Sequence, residues 1–183
     1  MIPHSVLIVA NHFIHLYLNE KEKVPPLHSM KLTALVYYAQ GWKLGVHHTP
    51  LFEEDILAYP WGPGVRNLEI AIKKTGKTEI DQYLPFLSFC SFNPASSIRW
   101  IDPTPSTGDL GRPDPAILRV WETHKDLTHI QLMNSTHASG EPWEVVSHFF
   151  DLKECPTIPR PVIQRCFEKK INSVKGQTHD YRN

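Results

Sequence analysis

The chain has 183 residues, with 19 Lys and Arg balanced by 19 Asp and Glu and 41% hydrophobic residues. That length accommodates one domain with a sizeable core. The balanced charge excludes a general attraction to nucleic acid or anionic membrane, and no apolar run reaches the roughly 18 residues of a membrane span.

Residues 5–18 predict a first helix, because Val6, Val9, Ala10, Phe13 and Tyr17 fall on one stripe at helical spacing. "NEKEK" and Pro25-Pro26 end it. Ser29 is the expected N-cap of a second helix. There Leu32, Leu35, Val36, Ala39 and Trp42 share one arc, Tyr38 extends it, and Tyr37 and Leu44 lie on the other side. A helix apolar on two sides belongs at the centre of a bundle. Gly41 and Gly45 each cost about 1 kcal/mol of helix propensity, a cost that close approach by a neighbouring element would explain.

"PLFEEDILAYPWGPG" predicts short extended pieces over residues 51–60, ending in a rigid turn over residues 60–64 that is either a ligand-binding loop or a stiff corner that docks Trp61. A further helix follows, with Val65, Leu68 and Ile72 inward and Gly76 at its C-cap. Residues 77–112, rich in Pro, Ser, Asp and Gly, predict a long irregular segment in which "SSIRWI" forms one short strand. Asp114-Pro115 opens the next helix, with Ile117, Val120 and Trp121 inward. Thr128 and Gln131 make a capping box, and Leu127 and Leu132 occupy the positions of a hydrophobic staple. That short helix stops near "STHASG", and Pro142 opens "PWEVVSHFF". The last helix is expected over residues 161–174 with Val162, Ile163, Cys166 and Phe167 inward. The expected fold is therefore mainly α (α+β): residues 1–183 as one helical domain around a central buried helix, with a small β element near residues 51–60.

Chemistry-bearing patterns are few. The cysteines, Cys90, Cys155 and Cys166, are odd in number and form no CxxC, so neither a disulfide framework nor a zinc ribbon is indicated. Cys90 beside a histidine would be the one candidate nucleophile pair, but it lacks a local signature. The eleven histidines are irregularly spaced, and a metal needs ligands converging at about 2 Å. Glu53, Glu54 and Asp55 read as a solvated edge, and "EKKINSVKG" as a solvated helix face. No phosphate-binding, zinc-protease or serine-hydrolase motif is present. No cofactor, no metal and no catalytic residue are expected. The apolar N-terminus lacks a basic leader and a small-residue cleavage site, which makes the cytoplasm the expected compartment.

Three segments in order carry a resemblance: "MKLTALVYYAQGWKLG", "PLFEEDILAYPWGPGV" and "ILRVWETHKDLTHIQLMNSTHASGEPW". They resemble the Panacea antitoxin domain, the SocA-like or phage-associated GepA-like family, with its "KLxKLxYYAQGW", "PLFxExIxAWxxGPVV" and "VWxxYGxxSxxxLxxxTHxxxPW" motifs. The resemblance is traced from Val9 to about Phe167, with residues 77–112 as its variable part. Departures are Ala34 for a lysine, Tyr59 for a tryptophan, Gly64 for a valine, and His124-Lys125 for Tyr-Gly.

The resemblance implies a cytoplasmic bacterial or phage protein that is not an enzyme. It would act as the antitoxin of a toxin-antitoxin pair, neutralising a cognate protein toxin by direct binding, without nucleic acid or membrane as a partner of its own. The motif positions that become candidate partner-binding residues are Lys31, Tyr37, Tyr38, Gln40, Trp42, Trp61, Gly62, Pro63, Thr136, His137 and Trp143. A structural reading stands beside this for several of them. Tyr37 and Gln40 would hydrogen-bond inward to fix the WGPG corner, and Thr136-His137 would close a helix end by satisfying its carbonyls. Two further hypotheses are an adaptor that delivers the partner to a cytosolic protease, and a small hydrolase or metal enzyme using His137.

Overall fold

A computed structural model describes residues 4–88, 99–101 and 110–179 of the chain. Among the described residues it has seven α-helices and two two-stranded antiparallel sheets, so the mainly α expectation holds. The helices are α1 (Val6–Glu20), α2 (Ser29–His47), α3 (Arg66–Thr75), α4 (Pro115–His124), α5 (His129–Thr136), α6 (Pro142–Ser147) and α7 (Arg160–His179). The strands are β1 (Leu57–Tyr59), β2 (Gly62–Gly64), β3 (Phe86–Ser88) and β4 (Arg99–Ile101), paired β1 with β2 and β3 with β4. The Cys90 pair lies outside the described residues.

The centre is α2, packed against α1, α3, α4, α5 and α7. It is buried on both sides: Leu32, Leu35, Val36 and Ala39 are inaccessible, and Tyr37 opposite them is buried too. Its start differs from expectation. The N-cap is His28, whose ring accepts from Met30 N–H, and Ser29 is already helical. An imidazole nitrogen does the work usually done by a hydroxyl, and the ring is itself stacked on His129 at 4.1 Å.

The glycines of α2 have the expected cause. The ring of Phe167 on α7 lies so close that a Cβ on Gly41 would come within 2.2 Å of it. A Cβ on Gly45 would sit 2.9 Å from the Phe167 Cβ. The two glycines therefore form a socket for Phe167, and α7 seats directly on the α2 backbone. With Ile163 and Ile171 also buried, the inward face of α7 is Ile163, Phe167 and Ile171, while Val162 and Cys166 are only half-buried.

Two buried amides hold extended chain against helices. Gln40 Oε1 accepts from Leu51 N–H (2.7 Å) and Phe52 N–H (3.3 Å), and its Nε2 donates to Phe52 C=O (2.9 Å). Asn11 on α1 does the same for Leu84, with both bonds at 2.8 Å. Each side chain stands in for a missing strand neighbour, satisfying backbone groups that burial would otherwise leave unpaired.

Residues 77–112 are less irregular than expected. Ile80 and Leu84 are buried in the core, Glu79 bridges His28, and β3 pairs with β4. The predicted strand in "SSIRWI" is β4. The other caps fall as predicted: Gly76 ends α3, Asp114 caps α4 ahead of Pro115, and Thr128 and Gln131 close a capping box. Helix α6 is shorter than the "PWEVVSHFF" pattern, stopping at Ser147 and leaving Phe149 and Phe150 beyond it.

Candidate partner-binding site

The corner after β1 is a hairpin in which Tyr59 pairs with Gly62 across Pro60-Trp61. Gly62 has φ +135°, a conformation that calls for glycine, and a Cβ there would also displace the Met133 methyl, 2.6 Å away. The strand β1 is braced from behind: Ala58 N–H donates to Pro156 C=O, and Ile158 N–H donates to Ile56 C=O, both at 2.8 Å. Trp143 on α6 then donates its indole N–H to Tyr59 C=O at 2.8 Å.

The end of α5 meets the same corner. Thr136 is fully buried and returns its hydroxyl to Met133 C=O at 2.7 Å. His137 caps the helix and donates from Nδ1 to the same carbonyl at 2.8 Å. Its ring stands edge-on to Trp143 with centroids 4.2 Å apart. The expectation that His137 closes a helix end therefore holds. This use of Nδ1 gives the imidazole a packing role in the corner.

Of the expected site residues, the structure brings six into this one cluster: Trp61, Gly62, Pro63, Thr136, His137 and Trp143. Gly62 and Pro63 are buried and Trp143 is half-buried. The docking expected for Trp61 does not occur. Its ring is 56% exposed, stacked on Tyr59 at 5.1 Å and 6°. The hairpin is too tight for residue 61 to turn back onto the core, so the indole lies along the outer face of the Tyr59 ring.

The remaining five lie along α2 and point elsewhere. Lys31 is buried and donates to Lys125 C=O at 2.6 Å, and desolvation lowers its pKa to about 8. Gln40 holds Leu51 and Phe52, upstream of the corner it was expected to fix. Tyr37 does not reach the corner either. Its hydroxyl is fully buried beside the Glu141 carboxylate. Burial first, and the Glu141 charge second, push the Tyr37 pKa up. Tyr38 stacks on His124 at 4.8 Å, and Trp42 is half-buried beneath the Arg119 guanidinium.

Two departures from the family pattern explain each other. Tyr59 replaces a tryptophan and Gly64 a valine, and a Cβ on Gly64 would lie 3.1 Å from the Tyr59 ring. With glycine at 64, the phenol ring settles against the β2 backbone. Trp61 occupies a position that the motif leaves free.

Phe149 and Phe150 were not picked out from the sequence. They are 77% and 59% exposed, just past α6, the helix that contributes Trp143. Continued as a helix, "PWEVVSHFF" would carry both rings on the Val146 face, so their exposure follows from α6 ending at Ser147, which helical spacing alone does not foretell. Among the described residues, no group of three His, Cys, Asp or Glu side chains is placed to hold a metal, and no helix is long and apolar enough to cross a membrane.

The class of protein is thus a helical domain built on a central α2, with an aromatic corner presented to solvent. The family model of the antitoxin SocA-like, Panacea domain matches residues 32–144, more than half of the chain, and the chain belongs to that family. The match is shorter than the stretch over which the motif resemblance was traced. It leaves out α1 and α7, both of which pack on α2. No curated protein and no solved structure matches the chain significantly.

Proposed function

We propose that this chain neutralises a cognate protein toxin in the cytoplasm by binding it directly, and that it is a binding protein without catalytic activity. The observation that carries the reading is a set of exposed aromatics: Trp61 at the tip of the braced hairpin, with Phe149 and Phe150 in the turn beyond α6. Large rings exposed on rigid elements are the usual anchors of protein interfaces, because they bury much area for little lost conformational freedom. A stable one-to-one complex calls for about 1,600 Å² of buried surface, more than these three rings supply, so neighbouring polar surface completes the contact. Trp61 holds the position that the family motif leaves variable, which suits a residue that selects among toxins.

The test is co-expression of the adjacent reading frame with and without this chain, followed by co-purification. Growth arrest that is relieved by the wild-type chain, with the two proteins co-purifying, is the expected result. Relief should be lost in Trp61→Ala combined with Phe149→Ser and Phe150→Ser. Relief that disappears only when a cytosolic protease is deleted would replace occlusion with delivery for degradation. Arrest without relief would overturn the antitoxin reading.

A further inference from the structure

A second concave feature lies away from the aromatic corner, between α2, α4 and α7. It has a volume of about 420 Å³, within the range of small-molecule sites. Its walls are apolar: Trp42 from α2, Val120 from α4, Phe167 and Ile171 from α7. Among the described residues, no acidic side chain lines it.

Its charges are all of one sign. Arg119 stands over the Trp42 ring at 5.6 Å and has no carboxylate partner among the described residues. Lys170 lies 4.5 Å from the Phe167 centroid on the other wall, and Glu141 takes one side of its ammonium. The two remaining titratable groups stay uncharged near neutrality. Burial lowers the pKa of His124, whose Nδ1 is already bonded to Val120 C=O at 2.9 Å, and burial raises that of Tyr38. A neutral apolar occupant would desolvate the Arg119 guanidinium without giving it a partner. A strongly polar anion would waste the walls.

We propose that this groove binds a free amphipathic monocarboxylate, with its aromatic or aliphatic body between Trp42, Val120 and Ile171 and its carboxylate on Arg119. The planar guanidinium offers two parallel donors to such a group. A chain long enough to approach Lys170 competes there with Glu141, the residue that precedes α6. Occupancy of the groove is thereby linked to the helix that carries Trp143. The site does not depend on toxin binding by the aromatic corner, and its test needs no toxin.

The experiment is calorimetric titration of the full chain with 4-phenylbutyrate and with decanoate, alongside 4-phenylbutanol and acetate. Nitrogen-15 spectra of the five tryptophan indoles locate the binding. The expected result is saturable binding of one or both acids with the Trp42 indole resonance moving most. The alcohol should bind about tenfold or more weakly, and acetate should not bind. Arg119→Met, at an exposed position, should lower acid affinity about tenfold or more with the melting temperature unchanged. Thr123→Trp, also exposed on the groove wall, should block binding sterically. Equal binding of acid and alcohol, unchanged affinity in Arg119→Met, or no binding of either acid at roughly 5 mM would overturn the proposal.

Discussion

The seam between α2 and α7 and the corner from Tyr59 to Gly64 both depend on glycine, yet they use it to opposite ends. At the seam, Gly41 and Gly45 remove side chains so that Phe167 can be swallowed by the core. At the corner, Gly62 and Gly64 remove side chains so that the backbone turns tightly against Met133 and Tyr59, leaving Trp61 outside. The first arrangement consumes an aromatic for stability, and the second exhibits one. The motif residues of this chain therefore fall into two groups: Tyr37, Gln40 and Lys31 serve the fold, while those of the corner frame an exposed side chain.

The largest effects should break the seam. Phe167→Ala is expected to cost about 3–5 kcal/mol, the range for losing a buried aromatic. Gly41→Ala would stabilise an isolated helix by about 1 kcal/mol, yet here overpacking against Phe167 should make it destabilising by about 1–3 kcal/mol. In the double variant Gly41→Ala/Phe167→Ala the two costs should fall well short of adding, because the second change removes the ring that the first collides with. Denaturant titrations of the three variants check both statements, and strict additivity would refute the socket.

Next comes the Gln40 hook. Gln40→Leu leaves two buried N–H groups and one C=O without partners, and should cost about 3 kcal/mol by the same titration. A loss below about 1 kcal/mol would mean that water or a shifted strand replaces the amide.

The pH dependence sharpens the view of the interior. His12 is buried with its pKa lowered from 6.5 to about 4, chiefly by desolvation. Between those values the unfolded state takes up a proton that the folded state refuses, so this group's contribution to stability falls as pH drops from 6.5 to 4. Lys31 repeats the pattern higher up. Its pKa falls from 10.5 to about 8, so its contribution rises with pH across that window. The buried tyrosines oppose it above pH 10, since their raised pKa values favour the folded state's protonated form. Urea titrations from pH 4 to 10 should show that His12→Leu loses part of the wild type's slope between pH 4 and 6.5, and that Lys31→Met loses part of its slope between pH 8 and 10. Parallel curves for wild type and variants would contradict both assignments.

The smallest effect on stability should come at the corner. Trp61→Ala removes one stacking contact and should cost no more than about 1 kcal/mol. The same substitution should weaken toxin binding by tenfold or more, as expected for an interface anchor. A Trp61→Ala variant that is badly destabilised would show that the ring belongs to the fold after all.

Much of this architecture was legible in the chain. Helical spacing marked α2 as central, its glycines signalled a close neighbour, and Thr128 with Gln131 announced the start of α5. Several misreadings share a cause: they concern contacts between residues far apart in sequence. Nothing around Ser29 says that His28 will cap in its place, since that ring is fixed by His129 a hundred positions later. Nothing local says that Gln40 will hold Phe52, or Asn11 Leu84. At the site, the reading of Thr136-His137 as a helix end was legible, while Trp143 was named only through the family resemblance and its contact with His137 needed the fold. The exposure of Trp61 followed from hairpin geometry, which depends on the register of Tyr59 with Gly62 and is not written in the composition of the turn. The grouping of Arg119 with Trp42 and Lys170 needed three helices in place.

The glycine socket also sets an order of events during synthesis. Gly41 and Gly45 leave the ribosome long before Phe167 does, and until then the central helix has an open slot along its length. Contacts of such long sequence separation close late and slowly. A nascent chain in that interval is the form most open to chaperones, proteases and misassociation, and its exposure ends only when α7 arrives. If the chain neutralises a toxin, protection is then delayed by the time needed to translate the helix that closes its core.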